Sequence, residues 1–177
     1  MENHSSQTKK NATNNKLIQN IISQLLDIQE KENWLDENYR RKIDSVGADK
    51  VFERPLPELH SIAELISHVL VWRIESIRKM KGLDANLTID SPENWRTNDQ
   101  LKEIGWLDLQ KEFYQSIFTL IDMLSDKDDT FLENRYRDGY SFKYLIEGLI
   151  HHDLYHLGQL GITIKFLNLQ HDVKLGR

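Results

Sequence analysis

The sequence predicts an all-α protein built as a four-helix bundle. Three observations carry that reading. Four stretches repeat apolar residues at helical spacing, the connections between them are marked by proline, glycine or clustered charge, and no two segments alternate in a way that reads as a strand pair. With 177 residues, the chain is expected to form one domain over 15–177, large enough to bury a core without staples. Residues 1–14, dominated by polar side chains, are expected to be a disordered tail.

The first long helix starts at Lys16 and runs to about residue 32. Leu17, Ile18, Ile21, Ile22, Leu25, Leu26 and Ile28 recur along it at helical spacing. Residues 34–43 read as a shorter helical turn or extension. Residues 47–59 include Pro55 and Pro57, which remove backbone donors and fix φ, so a regular helix cannot run throughout. The second long helix has a local start signal in Ser61 followed by Glu64. This is a capping-box pattern in which each side chain satisfies the other residue's free amide. Ile62, Leu65, Ile66, Val69, Leu70, Ile74 and Ile77 form its apolar side, and Gly82 is placed to stop it. Residues 84–105 form a long connection with Pro92, Trp95 and room for a short helix. The third long helix covers about 106–124, with Leu109, Phe113, Ile117, Leu120, Ile121 and Leu124 as its buried stripe. The charged stretch 125–139 reads as a loop. The fourth helix begins near Ser141 and continues to about Leu167.

Composition removes several function classes. The absence of cysteine excludes disulfides, thiolate metal sites and a cysteine nucleophile, and fits a reducing compartment. No segment approaches the roughly 20 consecutive apolar residues of a membrane span. The N-terminal lysines have no apolar run behind them, so a signal peptide is not expected and the protein is read as cytoplasmic. The formal charge is −5 with both signs mixed along the chain, which does not suit nucleic acid.

The chemistry is concentrated in histidines. His152 and His156 are four residues apart on the fourth helix and project from one face, so two imidazoles can converge on one ion. His68 lies on or beside the apolar stripe of the second long helix. If those two helices are neighbours, the three side chains form an open three-nitrogen site; otherwise they are packing or surface residues. His60, His151, His4 and His171 are left outside this group by their positions on the helices and tails.

The run His152-Asp153-Leu154-Tyr155-His156-Leu157-Gly158-Gln159 resembles the HxxxHxGQ signature of the DinB-like (YfiT-like) metalloprotein family. Residues 60–69, ending in His68 and Val69, resemble that family's second-helix segment. The resemblance implies a four-helix bundle, a divalent metal held by His68, His152 and His156, and a homodimer. Zinc or nickel is the expected ion, imidazole being a suitable ligand for both.

Four further residues are weak candidates for roles around that site. Glu64 lies one turn before His68 and either approaches the ion or serves only as the helix cap. Glu75, seven residues after His68, contacts substrate or is a partly exposed charge. Tyr155 is a proton donor or a packed core tyrosine. Gln159 lines the pocket or pairs with a neighbouring helix. Gly148, one turn before His152, leaves room above the ion, and Gly158 is expected to allow close helix packing. The leading functional expectation is a metal-dependent hydrolase using metal-bound water. The alternatives are a thiol S-transferase of the bacillithiol type, or a non-enzymatic, stress-related metal-binding dimer.

Overall fold

The computed structural model describes residues 14–174. Its elements in order are α1 (Lys16–Gln29), α2 (Tyr39–Asp44), α3 (Ile62–Met80), a 3-10 turn (Pro92–Trp95), α4 (Asn98–Ile104), α5 (Trp106–Ser125), a second 3-10 turn (Asp129–Glu133), strands β1 (Arg135–Arg137) and β2 (Tyr140–Ser141), and α6 (Phe142–Lys174). The fold is all-α. The four long helices close a ring in which α1 and α3 each pack against both α5 and α6. Ile18, Leu25, Ile66, Leu70, Phe113 and Ile117 fill its centre and are all but inaccessible to solvent. Each such aliphatic or aromatic side chain contributes about 1.5–3 kcal/mol by leaving water.

Local sequence explains where the helices begin and stop. Ser61 accepts the Glu64 amide while the Glu64 carboxylate accepts the Ser61 amide, completing the expected capping box at the start of α3. Gly82 ends that helix at φ 65°, and Gly105 separates α4 from α5 at φ 88°; both conformations favour glycine. Helix α3 is covered on most sides by α5, α6, α4 and the Pro92–Trp95 turn. As a result it buries polar residues as well as apolar ones, including His68, Arg73, Glu75 and Ser76.

Several boundaries differ from the sequence reading. Helix α1 ends at Gln29 rather than near residue 32, and α6 runs to Lys174, beyond Leu167. Within 34–43, only the segment from Tyr39 is helical. Part of the stretch read as a loop forms an antiparallel pair, β1 with β2. Two or three residues per strand are too few to show an alternating pattern. Residues 1–13 of the expected tail lie outside the described residues. No helix among the described residues is long and apolar enough to cross a membrane.

Candidate metal centre

Helices α3 and α6 lie side by side, and that contact brings His68 together with His152 and His156. One ring nitrogen from each lies within 4.8 Å of the other two. The Nε2 atoms of His68 and His152 are 3.0 Å apart. The His156 ring sits 4.5 Å from that of His68 and 4.4 Å from that of His152, edge to face in both cases. His68 and His156 are buried, while His152 is partly open to solvent.

The outer nitrogens decide which way the lone pairs point. His68 Nδ1 donates to the backbone carbonyl of Asn94 at 2.8 Å, and His156 Nδ1 donates to Gln159 Oε1 at 2.7 Å. With each proton fixed on Nδ1, the Nε2 lone pairs are left available; the metal-ligating histidines of proteins are commonly oriented in this way. Burial holds both side chains neutral and pushes their pKa values down to about 4; the neighbouring histidine charges act in the same direction.

The Pro92–Trp95 turn supports His68 from outside the helix ring. Trp95 lies flat between two imidazoles, with its ring 3.9 Å from that of His68 and 3.7 Å from that of His60. Asn94 is held in turn by Trp72, whose indole N–H donates to its side-chain oxygen at 2.8 Å. His60 therefore belongs to the surroundings of the cluster, although it is not one of its three members.

His152 is held differently. Its Nδ1 is buried without a hydrogen-bond partner and lies 3.7 Å from Asp153 Oδ1, which is also buried and unpartnered. The other Asp153 oxygen, Oδ2, meets the Arg73 guanidinium at 2.7 Å. Arg73 also donates to Gln29 Oε1 on α1 and to the Phe113 carbonyl on α5, while the Tyr39 hydroxyl on α2 donates to the Asp153 carbonyl. Five helices thus converge directly behind the histidine pair.

This donor set fits a divalent cation. Zinc–imidazole bonds of 2.0–2.1 Å in a tetrahedral site place ligand nitrogens about 3.3 Å apart, near the 3.0 Å between His68 Nε2 and His152 Nε2. Two of the rings are held neutral with lone pairs directed away from their fixed protons, and facing lone pairs at 3.0 Å call for a proton or a cation between them. The sequence profile of the DinB superfamily matches residues 34–160, which include all three histidines. The chain belongs to the DinB superfamily. No curated protein and no solved structure matches it. Membership and the histidine cluster are together compatible with metal binding.

The remaining residues of this DinB chain singled out from sequence fall out as follows. Glu64 serves as the cap and pairs with Arg54 at 2.6 Å. Burial would raise its pKa, but the hydrogen bonds from Arg54 and the Ser61 amide outweigh that and hold it below the usual value. Glu75 is buried rather than partly exposed: it accepts the Leu87 amide at 3.1 Å and pairs with Lys79, tying down the chain after α3. Tyr155 is not a core residue. It is 64% exposed, with its ring edge-on to that of His156. Gln159 performs a site role by orienting His156. Gly148 borders a cavity of about 230 Å³ that also touches His152, and open space surrounds the position of its missing side chain. Gly158 is exposed, and nothing among the described residues lies within 4 Å of where its Cβ would stand, so no neighbouring helix among them makes the expected close contact.

Sequence reasoning missed Asn94, Trp95, Arg73 and Asp153. The first two lie in a connection with no periodic pattern. The second two did leave a signal, because each interrupts an apolar stripe. Arg73 continues Ile66 and Leu70 toward Ile77, and Asp153 continues Ile146 and Ile150 toward Leu157.

Proposed function

We propose that the protein holds one divalent ion, zinc or nickel, through the Nε2 atoms of His68, His152 and His156, and that it is a metal-dependent hydrolase acting on a small molecule. The single observation carrying this reading is the convergence of three imidazoles, two of them fixed with their protons outward. When bound, an ion on three neutral ligands supplies a strong positive field and can bring the pKa of a coordinated water near 7. Gln159 and the Asn94 carbonyl orient their rings, Trp95 covers the flat face of His68, and the buried Arg73–Asp153 pair fixes the helix segment carrying His152. The cavity beside His152 provides space for the organic part of a substrate.

A second reading, thiol S-transfer, is supported by the lining of that cavity. Among the described residues no carboxylate borders it, and Glu64 and Glu75 are engaged elsewhere. A general base would therefore have to come from the histidines or the solvent, whereas a thiolate nucleophile needs none. The chain has no cysteine, so the sulfur would come from a low-molecular-weight thiol.

For the assembly, we propose a homodimer formed through the outer face of α6. Tyr155, Gly158, Ile162, Phe166 and Leu169 recur there at helical spacing and are exposed. An apolar helix stripe with a glycine at its middle is suited to close approach by a second helix.

The test is a screen of metal-loaded protein against ester, amide and electrophile libraries, with and without bacillithiol, read by mass spectrometry. Hydrolysis predicts products that gain water without added thiol and activity that a chelator removes. Products carrying the thiol would establish transfer instead. Inactivity in both arms, with the ion present, would leave a non-enzymatic metal-binding module.

A further inference from the structure

We infer that the cavity beside His152 takes an uncharged aromatic group and discriminates against aromatic cations. The inference names the substrate class of the site just proposed, and it rests on that reading only for where the reacting end of the ligand lies. The cavity, of about 230 Å³, is bordered by Trp72, Tyr136, Tyr144, Leu149, Gly148 and His152. Three aromatic rings in so small a space favour a flat ring, since offset and edge-to-face contacts add to simple burial.

Two polar groups of the wall are already engaged within the protein. The Trp72 indole N–H is taken by Asn94 Oδ1 at 2.8 Å, and the Ser76 hydroxyl by the Trp72 carbonyl at 2.9 Å. Among the described residues no carboxylate borders the space, so a cation entering it would lose its hydration without gaining a counter-charge. A cage of tryptophan and tyrosine rings could still attract a cation. Here that role is already filled: Lys79 Nζ lies 6.0 Å from the Trp72 ring and 5.8 Å from that of Tyr136, and the Arg137 guanidinium lies 5.5 Å from Tyr136. A further cation would meet two existing ones across the same rings. Gly148 is the α6 residue of the wall that leaves the space open, with nothing within 4 Å of where a Cβ would stand.

The test is a titration of the full chain with benzyl alcohol and benzyltrimethylammonium, following backbone amide shifts by NMR in both metal-loaded and chelator-treated protein. Benzyl alcohol is expected to bind at least tenfold more tightly than benzyltrimethylammonium and to shift amides around residues 72 and 148. Gly148→Leu should weaken it at least tenfold while leaving metal content and melting temperature near wild type. Ser76→Val, which narrows the space from α3, should weaken it in the same direction. Absence of saturable benzyl alcohol binding, equal or tighter binding of benzyltrimethylammonium, or an unchanged affinity in both variants would overturn the inference. Elemental analysis of the same samples separates the two proposals. A wild type that takes up no metal on reloading yet binds benzyl alcohol selectively contradicts the metal reading and supports this one.

Discussion

The Arg73 guanidinium, wholly excluded from solvent, meets the equally buried Asp153 carboxylate at 2.7 Å, and that contact joins α3 to α6 one residue from His152. A buried pair of this kind adds little net stability over apolar residues of similar shape, because both charges have lost their hydration. Its value here is positional. It fixes the axial register of the two helices that carry the three histidines, and it leaves Asp153 Oδ1 beside His152 Nδ1.

Removing one partner should therefore be costly. Arg73→Met leaves Asp153 buried and unpaired, and is expected to destabilise the protein by about 3–5 kcal/mol in chemical denaturation. Adding Asp153→Leu should recover much of that loss. Metal affinity should remain about 10–100-fold reduced in the double variant, because His152 has lost its neighbouring carboxylate. Recovery of full metal affinity together with stability would show that the pair has no positioning role.

Stability of the metal-free protein should fall on mild acidification. The unfolded histidines accept protons near pH 6.5, but His68 and His156 do so in the folded protein only near 4. Their contribution is therefore fully present above about pH 6.5 and is lost as pH falls toward 4, because the unfolded state binds the extra protons. Denaturation measured across that window should show a steeper loss for wild type than for His68→Gln/His156→Gln. Identical slopes would mean that these two rings are not held neutral by folding. Bound metal should be released over the same descent, since only neutral imidazole ligates.

The legible and illegible parts of this fold divide along physical lines. The capping box of Ser61 and Glu64 and the i, i+4 spacing of His152 and His156 are local, so the sequence displays them directly. The partnership with His68 depends on which helices are neighbours, and the family resemblance supplied that. Arg73 and Asp153 interrupt two apolar stripes, and their pairing, like that of the histidines, depends on which helices are neighbours; two opposite charges in two such stripes mark a buried pair. Asn94 and Trp95 act through a backbone carbonyl and a ring stack from an aperiodic connection, where periodicity carries no information. Tyr155 reads from sequence as a proton donor, being beside His156, or else as a packed core tyrosine. On a helix, however, consecutive residues point about 100° apart, and that turn takes it to the surface.

The α6 face gives a prediction about assembly. In a dimer packed through Gly158 and Ile162, the substitution Ile162→Glu should raise the dissociation constant by about 30-fold or more, equivalent to about 2 kcal/mol at a central contact. Light scattering over a micromolar dilution series reads this directly. A monomeric wild type, or an unchanged dimer in the variant, would remove α6 as the interface.

The central claim is that one ion is held by three histidines from two helices, and metal content measures it most directly. Protein purified without chelators, or stripped and reloaded with zinc or nickel, should carry one ion per chain by elemental analysis. His68→Ala, His152→Ala and His156→Ala should each reduce that content sharply while circular dichroism remains helical, and His60→Ala should leave it in place. A triple-alanine protein that still binds one ion per chain, or a folded wild type that binds none after reloading, would contradict the account.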